Sequence, residues 1–180
     1  DPEKAKALKF VNDGIVDMFK PSRQTYEKAK VILDKLVQKN IKPTPVWRAL
    51  NMEETTSSKS KFAGLDAYKK GGVWNSRLSS FTTDKSVAYG WDGGEGKWSV
   101  ILHIPKLTRG ADVDEFSHFE GEEMEIIVSG KFKISKIESH PRKNESKKQE
   151  GNSLQDLLNS PNPPNPDRDV VVITLEEIKQ

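Results

Sequence analysis

Four carboxylates, Glu120, Glu122, Glu123 and Glu125, fall within six residues, and an apolar run starts among them in Met124-Glu125-Ile126-Ile127-Val128. Read as a strand, this run sends successive side chains to opposite faces. Glu123 and Glu125 then share one face, and Met124 and Ile126 take the other. Like charges side by side at the mouth of a strand repel, which costs stability unless a cation or a substrate lies between them. An acidic turn ahead of an ordinary strand accounts for the same residues, because carboxylate clusters are usually solvated. The rest of the chain has to decide between the two.

Residues 3–20 read as an amphipathic helix through Leu8, Val11, Ile15, Met18 and Phe19. Pro21-Ser22 ends it. A second helix over residues 23–39 puts Tyr26, Ala29, Leu33, Leu36 and Val37 on one face, with Asn40 as its cap. Pro43 and Pro45 then hold the chain extended, and Val46-Trp47-Arg48-Ala49-Leu50 follows as a short strand. Arg48 has apolar neighbours on both sides. A guanidinium cannot shed its proton, so in a buried strand it requires an anion, either a structural carboxylate or a ligand.

Hydroxyls and apolar groups alternate from Val73 to Thr83 as in a strand, with Leu78, Ser80 and Thr82 on one face and Ser79 and Phe81 on the other. Asp84 can cap a helix over 85–91. A strand from Trp98 to Ile104 is expected to stop at Pro105, and Arg109-Gly110 marks a turn. Ser129-Gly130 reads as a tight turn, which makes the alternating run Lys131–Ile137 the hairpin partner of the glutamate-bearing strand. Residues 138–169 are rich in Pro, Asn, Lys and Glu, with a short helix over 153–158, and read as a surface excursion. Asp169–Leu175 returns as a last strand.

Helices first and strands afterwards give an α+β fold, with N-terminal helices packed on a mixed, mostly antiparallel sheet. At 180 residues the chain is a single domain of ordinary size. Its expected parts are N-terminal helices over 1–42, a core over 43–137, a loop excursion over 138–169 and a closing strand over 170–178.

Several chemistries drop out. Without cysteine there is no disulfide, thiolate metal site or thiol nucleophile. His103, His118 and His140 lack metal-ligand spacing, so no metal is expected. A net charge of +2, from 29 basic and 27 acidic residues, argues against an extended nucleic-acid footprint. No apolar run approaches the ~20 residues that span a bilayer, so no membrane partner is expected. The glycine-rich stretch 91–97 lacks P-loop spacing, and neither a Gly-x-Gly-x-x-Gly nor a Gly-x-Ser-x-Gly motif occurs. Asp1 reads as a processing site or a boundary within a longer protein.

What remains is a strand arginine, a hydroxyl-bearing strand and a carboxylate pair, in that order. Arg48 in Val-Trp-Arg-Ala-Leu, Ser80-Phe81-Thr82 with Ala88 six residues after Thr82, and Glu123-Met124-Glu125 ahead of Ile-Ile-Val resemble the arginine, Ser-Thr-Ser and Glu-x-Glu signature of mono-ADP-ribosyltransferases. The likeness is to the toxin-like branch that modifies arginine, and it covers residues 44–137. It implies a split two-sheet fold and NAD as co-substrate, with no metal. Arg48 would hold the NAD phosphates, with Arg77 as a second contact, and the Ala49 backbone would meet the nicotinamide amide, where the family often has glycine. Ser80 would orient Glu125. Phe81 and Thr82 stand where Thr and Ser are commonest; Thr82 keeps the hydroxyl, and Phe81 faces away. Glu125 would stabilise the ribose as positive charge builds on it, and Glu123 would bind the acceptor arginine. Phe116 and Phe119, in the loop before, are candidates for contact with the target protein or for packing under the loop.

The resemblance thus implies a transferase acting on an arginine of a target protein. It would work as a monomeric catalytic domain, alone or within a larger protein, in the target-cell cytoplasm after secretion or injection by a bacterium or phage. An NAD glycohydrolase on the same fold and a non-catalytic binding module are the competing readings. Retention of Arg48, Ser80, Glu123 and Glu125 together argues against the second.

Overall fold

The computed structural model describes residues 2, 31–32, 34–51, 68–90, 99–114, 124–141, 149–150, 153–162 and 169–179. Among the described residues seven strands form one sheet: β1 (Asn40–Asn51), β2 (Val73–Thr82), β3 (Ser99–Arg109), β4 (Ala111–Asp112), β5 (Glu125–Pro141), β6 (Gln149–Glu150) and β7 (Asp169–Glu177). Among the described residues between them lie two short helices, α1 (Lys85–Gly90) and α2 (Leu154–Leu158). The expected helix over 3–20 lies outside the described residues. Of the second, residues 31–32 and 34–36 are helical.

Strand order is β2-β1-β3-β7-β5, and β5 also pairs with β2, so the path returns to its start. The ring is mixed: β3 and β7 run parallel, and the other neighbours are antiparallel. Its weak point is the seam between β1 and β2, registered only at Trp47↔Thr82. By contrast, β1 follows β3 from Asn40↔Arg109 to Asn51↔Ser99.

The apolar runs of the strands are explained by burial on both faces. Inside the ring lie Val46, Phe81, Val100, Leu102, Ile104, Ile126, Val128, Phe132, Ile134, Ile137, Val171, Ile173 and Leu175. Outside, Ile127 packs with Ala111 and Val113 beneath Leu36 and Val37 of the N-terminal segment. Ile101, Val170 and Val172 form a second outer cluster with Trp47, Ala49 and Tyr89 against it. The Ile-Ile-Val run after Glu125 therefore puts Ile126 and Val128 inside and Ile127 outside.

Three local expectations are corrected. Ser129-Gly130 is no hairpin turn, because β5 runs through it for 17 residues. Gly130 has φ +127° and faces a register shift between Ser76 and Ser79 of β2, so the strand bends there instead of reversing. Pro105 does not stop β3. It sits where the pairing slips between Thr44↔Leu107 and Val46↔Ile104, a bulge that needs no proline N–H and leaves both Ile104 and Leu107 in the core. Nor is 138–169 wholly excursion: residues 138–141 continue β5, and Ser153 bridges to Lys69. Leu154 and Leu157 enter the ring core.

Leu157 is 2% exposed. Leu157→Ala should therefore lower stability by about 2–5 kcal/mol, the range for emptying a packed leucine site. Urea unfolding checks this; a change under about 0.5 kcal/mol would mark the segment as a solvated loop.

Candidate active site

Registered pairs carry one row of side chains across the outer face: His103 on β3, Trp47 on β1, Thr82 on β2 and Glu125 on β5. Residues directly opposite in an antiparallel pair point to the same face. Ser80, two residues before Thr82, is on that face too and is registered with Ile127, which puts it diagonally from Glu125. Phe81 faces the other way and is fully buried in the core. Ala49 is half-buried on the outer face, opposite Ile101.

Arg48 takes the opposite face of β1 from Trp47, in line with the core residue Val46. It is half-buried, and its Nη1 donates to the Ser80 carbonyl at 2.7 Å. The bond crosses the seam, where β1 and β2 have little ladder of their own. The arginine strand and the serine strand are thus joined through the arginine side chain.

The two hydroxyls of the motif differ. Thr82 is fully buried, and its Oγ1 accepts the Asp84 N–H at 3.0 Å. A Thr hydroxyl bonded two residues on fixes a turn. Asp84 continues it: its Oδ1 accepts from the Ser86 N–H at 2.8 Å and the Ser86 hydroxyl at 2.7 Å, capping α1 as expected. Those bonds hold the Asp84 carboxyl below its usual pKa. The Ser80 hydroxyl makes no hydrogen bond among the described residues, to Glu125 included.

Glu125 is half-buried at the start of β5. Its carbonyl accepts from Val113 N at 3.0 Å, and the Met124 carbonyl accepts from Thr83 N at 3.1 Å, so the backbone is held on both sides of the mouth. Glu123, Phe116 and Phe119 lie outside the described residues, and nothing is described of the Arg77 side chain. The structure thus places Ser80, Thr82 and Glu125 on the outer face beside the β1–β2 seam, and Arg48 on the inner face of β1, bonded across the seam to the Ser80 carbonyl.

Trp47 and His103 extend the row and escaped the reading of the sequence as site neighbours. Their rings stack at 4.7 Å and 7°. His103 Nδ1 lies 3.1 Å from the Val46 carbonyl, an acceptor, so the ring proton is on Nδ1 when His103 is neutral. Burial pushes the His103 pKa down, against the pull of the Val46 bond, and nearby Lys85 adds to the lowering. The sequence signal was present in the parity of Val46–Leu50 and Ile101–Ile104, but only the register joins them. His140 belongs elsewhere, 3.6 Å from Glu138, which also pairs with Lys136 at 2.6 Å. Among the described residues no group of three His, Asp or Glu is placed to hold a metal ion, and no helix is long and apolar enough to cross a membrane.

The fold is shared with bacterial ADP-ribosyltransferase toxins over the whole chain. Plx2a, an ADP-ribosyltransferase toxin from Paenibacillus larvae, superposes with a TM-score of 0.57 at 14% identity, covering 99% of this chain and 87% of that one. An ADP-ribosyltransferase from Clostridium botulinum gives 0.56 at 13% identity, with 99% and 88% covered. C3stau2 from S. aureus, solved with NAD, gives 0.56 at 15% identity, again with 99% and 88% covered. No protein-family model and no curated protein matches the sequence.

The lowered His103 pKa fixes the sign of a pH effect. The unfolded chain binds a proton near pH 6.5 and the folded chain only at lower pH. The contribution is complete above that value and is lost as the pH falls towards the folded pKa. Between about pH 7 and pH 5 the melting temperature of the wild type should fall more steeply than that of His103→Gln. Parallel curves from thermal unfolding across that range would show that His103 carries none of the slope.

Proposed function

We propose that the chain is an NAD-dependent mono-ADP-ribosyltransferase that moves ADP-ribose to an arginine of a target protein and releases nicotinamide. It would serve as a bacterial toxin or effector, or as an enzyme delivered by a phage. The fold shared with ADP-ribosyltransferase toxins carries this reading, supported by the bond from Arg48 to the Ser80 carbonyl and by the diagonal place of Ser80 next to Glu125. NAD is proposed as co-substrate on the same grounds, supported by the NAD-bound C3stau2.

The side chains suit a dinucleotide. A guanidinium offers charge and five donors for a diphosphate. A half-buried carboxylate and an adjacent hydroxyl suit the hydroxyls of a ribose. Breaking the nicotinamide–ribose bond sends the electron pair to nicotinamide and leaves positive charge on the sugar, as in glycoside hydrolysis. Glu125 accepts a hydrogen bond from a ribose hydroxyl and stabilises that charge. Ser80, diagonal to Glu125, orients it once the ribose is bound, with Thr82 holding the turn beneath it. Arg48 binds phosphate, Arg77 adds a second cation, and the Ala49 and Phe81 backbones complete the wall. Phe81 can take part only through its backbone, because its ring is in the core.

An acceptor arginine is protonated in water, with a pKa above about 12. Glu123, two residues before Glu125, binds that guanidinium and takes its proton as the nitrogen attacks the sugar carbon. Phe116 and Phe119 contact the target protein around it.

The two glutamates separate in a test. Glu125→Gln should cut both transfer and NAD hydrolysis by at least about 10²-fold, the scale for losing one charge-stabilising contact. Glu123→Gln should abolish transfer to arginine and leave hydrolysis measurable. Labelled NAD incubated with a host lysate, followed by mass spectrometry of the modified residue, reads both. Transfer that survives in Glu123→Gln removes the arginine assignment. If the wild type leaves NAD uncleaved and labels no protein, the enzyme reading fails.

A further inference from the structure

The turn out of β2 does more than start a helix. The register of β2 with β5 ends at Thr82↔Glu125, and one further bond continues it: Thr83 N donates to the Met124 carbonyl at 3.1 Å. On one side of that bond β2 gives way to the turn before α1, and on the other stands Met124 with φ +46°. A ladder bond at a strand end frays unless the backbone on each side is held. On the β5 side, Val113 N holds the Glu125 carbonyl at 3.0 Å.

On the β2 side the hold is built on Asp84. Its N–H donates to the hydroxyl of the buried Thr82 at 3.0 Å, so Thr83 is enclosed between the two bonded residues. Its Oδ1 accepts from the Ser86 N–H at 2.8 Å and the Ser86 hydroxyl at 2.7 Å. Its carbonyl accepts from Val87 N at 3.1 Å and Ala88 N at 3.4 Å. A helix of six residues has few internal bonds to sustain it, so these contacts carry much of its first turn. At its far end α1 is fastened to the sheet: Ala88 is fully buried, and Tyr89 packs with Trp47 and Ala49 against the outer cluster. Asp84 therefore ties an anchored helix to the strand end that grips Met124.

We propose that Asp84 is a positioning residue for Glu125: by capping α1 it fixes the turn whose Thr83 N–H holds the Met124 carbonyl, and through that grip it fixes the backbone from which Glu125 projects. The role needs an acceptor oxygen on a short side chain and no charge, since Asp, Asn and Ser cap helices almost equally well. A negative charge acting directly on the Glu125 carboxylate would oppose its ionisation instead. That Glu125 serves the transfer reaction rests on the function proposed above; the coupling of Asp84 to its backbone does not.

The test uses the full chain, amide hydrogen exchange by NMR and steady-state kinetics. In Asp84→Ala the Thr83 and Val113 amides should exchange faster by about fivefold, the scale of one lost helix cap. The kcat for transfer should fall by a similar factor, with the KM for NAD within about twofold. Asp84→Asn, which keeps the acceptor and drops the charge, should restore both. A cap that serves α1 alone would speed only the Val87 and Ala88 amides; unchanged Thr83 and Val113 exchange in Asp84→Ala overturns the proposal. A lower melting temperature with unchanged kcat overturns it too, and so does an Asp84→Asn variant as impaired as Asp84→Ala. If the wild type turns over no NAD, the function proposed above falls, and exchange at Thr83 and Val113 alone decides the coupling.

Discussion

The first half of β5 is bonded to β2, from Thr82↔Glu125 to Val73↔Lys133, and the second half to β7, from Phe132↔Glu177 to Pro141↔Asp169. A strand that serves two neighbours in succession must bend, and Gly130 with the β2 register shift opposite it supplies the bend. Because the handover closes a ring, the sheet gains an inside and an outside, both filled with apolar side chains. Closure is nearly broken at one place, the β1–β2 seam, and the side chains with chemistry gather there. A well-paired ladder keeps its backbone groups occupied; a seam with one registered pair leaves room for a side chain such as Arg48 to bond the neighbouring strand.

The same geometry explains why the hydroxyl motif splits its labour. Thr82 lies between Trp47 and Glu125 in a continuous row, is fully buried, and spends its oxygen on the turn into α1. Ser80, one diagonal away, keeps its hydroxyl clear of other bonds among the described residues. Two chemically similar groups on one strand face thus differ because one must launch a helix and the other need not. His103 and Trp47 bound the row on its far side, and the tautomer set by Val46 leaves Nε2 as an acceptor in the neutral ring.

Much of the site was legible because strand parity is a local property. The grouping of Leu78, Ser80 and Thr82 against Phe81 could be read by alternation, and the structure has it so. The apolar neighbours of Arg48 announced a partly buried guanidinium, and the structure has it half-buried, donating to the Ser80 carbonyl. What failed depended on partners distant in sequence. Ser-Gly between two alternating runs fits a hairpin turn or a bend equally well until one knows that β2 and β7 take successive edges. Pro105 reads as a stop unless the bulge opposite Thr44–Val46 is known. Leu154 and Leu157 are two apolar residues in a polar stretch, too few for periodicity, and their place in the core follows from the Ser153–Lys69 bridge. The resemblance to ADP-ribosyltransferases, by contrast, needed only order and spacing, and the shared fold agrees with it at identities too low for sequence comparison to find.

Met124 brings these constraints to the carboxylate itself. It has φ +46°, a left-handed conformation that a residue with a side chain adopts at a cost of order 1–3 kcal/mol. Glycine would adopt it with less strain, so the surroundings must over-determine the conformation. They do so by gripping the residues on either side: Thr83 N bonds the Met124 carbonyl, and Val113 N bonds that of Glu125. One grip comes from the turn that Thr82 anchors, and the other from the strand end that lies against Ile127. Glycine at this point would leave the backbone several conformations and Glu125 several directions. A strained residue clamped from both sides leaves the backbone one, so the left-handed turn at Met124 fixes the outer face on which β5 presents Glu125, and its cost is borne by the packing of β2, β4 and β5 around it.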